Sequence, residues 1–96
     1  MTMGPTAMSR DHAVAIAAEA VRFLAADEHR IERFMALSGA DPETIRDGLA
    51  NDAFLAGILD HMLQDESLLL AFAEATGLDP DDTARAHHAL GGIAYE

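Results

Sequence analysis

The residues with most chemical capacity in this chain are five histidines, His12, His29, His61, His87 and His88, set among 17 acidic side chains. Imidazole and carboxylate groups build metal sites and acid–base pairs, so their spacing decides what they can do. His87 and His88 are adjacent, and on a helix adjacent side chains point about 100° apart, too far to grip one ion readily. His61 and Asp65 stand four apart, but Asp65 precedes an apolar run and is better placed to cap it. His29 and Glu32 fall three apart within a charged stretch, a common surface pairing. The Glu-x-x-His element of dimetal bundles is missing, because Ser9, Ala26, Ile58, Ala84 and Arg85 occupy the positions three before the histidines. Asp79, Asp81 and Asp82 lack the glycine turn and distant glutamate of a calcium loop.

Nucleophiles are no better supported. Ser9, Ser38 and Ser67 sit at helix ends, and no Gly-x-Ser-x-Gly element surrounds them. The cysteine count is zero, which excludes a thiolate nucleophile, a disulfide framework and a cysteine-based metal centre. Gly91-Gly92 reads as a helix stop rather than a phosphate loop. The expectation is a non-enzyme with no catalytic residue, no metal site and no cofactor. The alternative kept open is a histidine/carboxylate metal-binding or weakly catalytic protein using His61, His87 or His88.

The elements that would position these groups are all helices. Ser9, Asp27, Asp41, Asp52 (or Asn51), Asp65 and Asp79 each precede a helical pattern and can accept its orphaned first-turn N–H groups. Pro42 and Pro80 suit first helical positions, and Gly39 and Gly77 suit left-handed helix ends. The spacing predicts helices over about 9–26, 28–38, 42–50, 52–63, 66–76 and 80–90, with no segment of period two. Phe54, Leu55, Ile58, Leu59, Met62 and Leu63 form one apolar face, with Asp52, Ala56 and Asp60 opposite. Val14, Ala17, Ala20, Val21 and Leu24 form another. The fold class is therefore all-α, a compact bundle of about six short helices. A single domain over 9–90 is expected, with a loose N-terminal tail over 1–8 and a loose end over 91–96. Ninety-six residues, 50% of them apolar, can close one small core.

Charge narrows the partners. Six arginines and no lysine oppose the acidic residues, for a net charge of −11. Phosphate neutralisation needs a basic face, so no nucleic acid is expected. Residues 34–50 have helix-turn-helix spacing, but the second helix offers only Arg46 among Glu43 and Asp47. The longest apolar runs, Ala13–Ala18 and Leu68–Ala73, fall far short of the ~18–20 residues that span a bilayer. No basic segment leads into an apolar stretch near the start, and acidic lipids would repel the surface. No membrane partner and a cytoplasmic location follow as expectations.

A shift of 38 positions brings two halves into register, with Asp27-Glu28 on Asp65-Glu66, Phe34 on Phe72, Gly39 on Gly77 and Asp41-Pro42 on Asp79-Pro80. A three-plus-three internal pseudo-repeat is expected. The halves differ where His29, Arg30, Glu32 and Arg33 meet Ser67, Leu68, Leu70 and Ala71. Either this helix is covered on both sides, or Leu68 and Leu70 form a surface patch over Leu69 and Phe72. On the second reading Leu68 and Leu70 are the interaction candidates of a non-enzymatic module. Its partner is another protein or a second copy, as in a homodimer.

The runs Asp27-Glu28…Ile31…Arg33-Phe34-Met35-Ala36-Leu37-Ser38-Gly39, Phe54-Leu55-Ala56…Leu59-Asp60 and Asp65-Glu66-Ser67-Leu68-Leu69-Leu70-Ala71-Phe72 are familiar together. They resemble the short alphaproteobacterial proteins of domain-of-unknown-function family 3572, from about residue 13 to residue 90. The matching positions are caps and core. The resemblance therefore implies the helical fold and carries over no activity, cofactor or site residue.

Overall fold

A computed structural model describes residues 8–91. They form α1 (Arg10–Ala25), α2 (Glu28–Ser38), α3 (Pro42–Gly48), α4 (Asp52–Leu63), α5 (Glu66–Thr76) and α6 (Pro80–Ala89), with no strand among the described residues. Among these residues, no helix is long and apolar enough to cross a membrane.

Each helix begins on a side chain that accepts from its first turn. Ser9 takes the His12 N–H at 3.1 Å, Asp27 those of His29 and Arg30 at 2.9 and 3.1 Å, and Asp41 that of Thr44 at 2.7 Å. Asp65 and Asp79 cap α5 and α6 in the same way. These N–H groups hold the Asp27 and Asp41 carboxyls below the usual carboxylate range, the Arg30 and Thr44 bonds contributing most. The cap of α4 is Asn51, which accepts from Phe54 at 2.9 Å, so Asp52 is its first helical residue. The third helix stops at Gly48 rather than 50, and the sixth at Ala89. Of the expected tail over 1–8 only Met8 is described, and it packs against the core; of the end over 91–96 only Gly91 is described.

The centre of the bundle is α1, α4 and α6 packed on one another; α2 lies on α1, α5 chiefly on α4, and α3 on α4. Leu24, Leu55, Ile58, Leu59, Met62 and Phe72 are fully buried there. The buried face of α1 is Ala13, Ile16, Ala17, Ala20 and Leu24, while Val14 and Val21 are only half-buried. The three alanines are fully covered, so the neighbouring helices approach along the small-residue stripe and leave the valines at its margin. Ala56, expected on the outward side of α4, is buried, and Leu63 is half-buried. Helices on several sides of α4 widen its buried belt beyond one stripe.

The 38-residue register recurs in local geometry. Gly39 and Gly77 both adopt φ 77°, and the Ser38 and Thr76 hydroxyls each donate to the carbonyl four residues back at 2.7 Å. Each hydroxyl then accepts an N–H from two residues on, at 3.2 Å from Ala40 and 3.3 Å from Leu78. Packing follows the register only in part, with α2 on α1 as α5 is on α4. The third helix of the second half, α6, lies in the centre against α1 and α4, whereas α3 rests chiefly on α4. The caps repeat, and the expected three-plus-three symmetry of packing is not established.

Candidate functional site

On α5 the fold separates the two interaction candidates. Leu68 is half-buried and packs against the core, whereas Leu70 is 51% exposed. Phe72 is fully buried, but Leu69, expected beside it in the core, is only half-buried. One turn to either side of Leu70 stand Glu66 and Glu74, both exposed. Leu70 is thus a single leucine framed by carboxylates. The matching face of α2 is less open than its charges suggest, because the Arg30 guanidinium lies over the Phe23 ring at 4.5 Å.

A larger apolar surface opens between α2 and α4. The backbone of α2 packs chiefly on α1, and α2 reaches α4 through Phe34. The Phe34 ring meets Phe54 edge-on at 6.3 Å between centroids and His61 at 5.0 Å. Two concavities of about 320 and 330 Å³ share Phe34, Ser38 and Gly57, so they are halves of one groove. One half runs over Ala53 and Phe54 to Thr44, and the other past Leu37 to Asp60, His61 and Gln64. Leu37 is 65% exposed, the highest value among the exposed large hydrophobic residues. Two glycines border the same ring system in opposite ways. A side chain at Gly48 would run into Phe54, so that glycine is required for α3 to rest on α4. A Cβ at Gly57 would meet nothing, although glycine within a helix costs about 0.5–1 kcal/mol against alanine.

The histidines are scattered by the fold. His61 is half-buried, and its Nε2 is shielded from water with no hydrogen-bond partner. Burial, reinforced by Arg33 and opposed by Asp65 and Asp60, lowers its pKa below the ordinary imidazole value. His87 Nε2 lies 4.0 Å from Asp60 Oδ1 across α4 and α6. His29 and His88 are exposed, and His12 lines a separate hollow of about 340 Å³ with Glu19 and Thr76. Among the described residues no three histidine, aspartate or glutamate side chains converge on a metal-sized site. The set His61, His87 and His88 is therefore not brought together around one point.

The groove is not legible in the sequence because its walls come from helices separated by α3, and the spacing of Phe54 is that of a core residue. Two signals were present: an apolar Leu37 in the last turn of a charged helix, and Gly57 in the middle of a helix.

No curated protein and no solved structure matches the chain. A family model matches residues 10–93, a span that includes all six described helices, and by it the chain belongs to the family of proteins of unknown function DUF3572.

Proposed function

We propose that this protein is a cytoplasmic, non-enzymatic module that works by contact with protein, another chain or its own copy, through an apolar helical surface. The observation that carries the reading is the large hydrophobic side chains left in water, Leu37 at 65%, Leu70 at 51% and Leu49 at 44% exposure. A core this small has use for every such side chain, and a leucine held outside forgoes roughly 1.5–3 kcal/mol of burial. Leu70 stands where the other half carries Glu32.

Molar mass by size exclusion with light scattering, over a range of concentrations, is the test for self-contact. A concentration-dependent dimer that Leu70→Glu returns to monomer, with helix content unchanged by circular dichroism, supports the reading and places the contact on α5. Loss of helix content in that variant shows that Leu70 is part of the core and removes it from the surface.

A further inference from the structure

We propose that the groove between α2 and α4 is the docking site for a basic amphipathic helix of a partner protein. This rests on the contact reading above, taken on the side of Leu37 rather than Leu70, and names the partner's chemistry. From Ala53 to Gln64 the groove follows α4 for about 16 Å at 1.5 Å per residue, the length of three helical turns. Its floor is the edge-on pair of Phe34 and Phe54, which offers an apolar stripe a seat of the kind that receives helices. Ala53 and Gly57 are exposed, and the Cβ position of Gly57 is open. Glycine there weakens α4 and relieves no contact within the chain. Its absent side chain is what lets a second backbone approach closely.

Charge decides the occupant. Asp60, 42% exposed, stands at the mouth of the groove, and α2 ends there with the partly negative pole of its peptide dipoles at Ser38. Arg33, near His61, is the opposing cation at that end and would direct a partner's lysines toward Asp60. A second copy is a poor occupant. It brings its own −11 and no lysine, and Arg10, Arg22, Arg30 and Arg85 already face carboxylates of their own chain. A helix with leucines on one face and lysines on the other satisfies both the floor and the rim.

The test uses ¹⁵N-labelled full chain and two synthetic peptides of about 18 residues. One is a leucine/lysine amphipathic helix, and the other has the same leucine pattern with glutamate for lysine. The lysine peptide is expected to shift amide resonances in residues 34–40 and 53–64, more weakly as salt is raised. Gly57→Leu has open space for its Cβ, projects a side chain into the groove and should weaken binding by about tenfold or more. Ala84→Ser, on the exposed side of α6, should leave binding unchanged. Shifts spread over the acidic residues and indifferent to Gly57→Leu would reduce the effect to plain charge attraction and overturn the proposal. Shifts on α5 that Leu70→Glu removes would refute the groove while leaving the contact reading standing. No binding of the lysine peptide refutes the groove as well, and light scattering then decides the contact reading on its own.

Discussion

Arg10 and Asp52 form a two-pronged ion pair, Nε to Oδ2 at 2.8 Å and Nη2 to Oδ1 at 2.7 Å, joining the first turn of α1 to that of α4. Both side chains are substantially exposed, so water and salt weaken the pair. It is nevertheless a long-range link that pins the starts of two central helices. The hydrogen bonds lower the Asp52 pKa and raise that of Arg10. The pair's stabilisation is thus present above the ordinary aspartate value near 3.9 and is lost as pH falls through the lowered one. Arg10→Ala should lower the melting temperature slightly at neutral pH and low salt. The difference from the native chain should vanish in high salt and in strong acid, as thermal unfolding followed by circular dichroism would show.

His61 gives the neutral range its own slope. Its pKa is lowered in the folded chain, so between that value and the ordinary one near 6.5 the unfolded chain binds more protons. Stability is full above about 6.5 and declines as pH falls through the folded value. Urea midpoints measured between pH 7.5 and 5 should fall for the native chain and stay flatter for His61→Phe. Equal slopes in the two proteins would show that His61 is not the titrating group.

Thr83 is 1% exposed, and its hydroxyl has no hydrogen-bond partner. Valine keeps the shape and removes the stranded oxygen. Thr83→Val should stabilise the protein by about 1 kcal/mol, read as a higher urea midpoint with unchanged slope.

Gly48 and Gly57 should respond to alanine with opposite signs. Gly57→Ala adds a methyl group in open space and a better helix former, and should stabilise by about 0.5–1 kcal/mol. Gly48→Ala forces the Phe54 ring aside and should cost about 1–3 kcal/mol. Chemical denaturation of the two variants side by side tests the seat of α3 on α4.

Leu70 and Phe72 are two residues apart, yet one is 51% exposed and the other fully buried. Phe72→Ala empties a fully covered site packed on Phe23, with ring centroids 5.5 Å apart, and should cost about 3–5 kcal/mol. Leu70→Ala should change stability by less than about 0.5 kcal/mol. A large loss at Leu70 would mean that α5 is covered on both sides.

The helices were legible in the sequence because their signals are local. A cap needs only an oxygen three residues before the N–H it accepts, and Gly39 and Gly77 end their helices through their own backbone freedom. Apolar spacing likewise identified Leu55, Ile58, Leu59 and Met62 as core. What the spacing left open was how wide each buried face is and what lies on it. Ala56 is covered because α4 has neighbours on several sides, Val14 is not because α1 meets its neighbours along its alanines, and Arg30 finds Phe23 on another helix. The two halves share caps and turns, yet only α6 reaches the centre. Leu68 packs on the core while Leu70 does not, and the groove exists because Phe34 bridges from α2 to α4. Hydrogen bonds within a few residues are written into neighbouring side chains. Burial is a property of the contact between distant segments, so it was decided only when the helices packed.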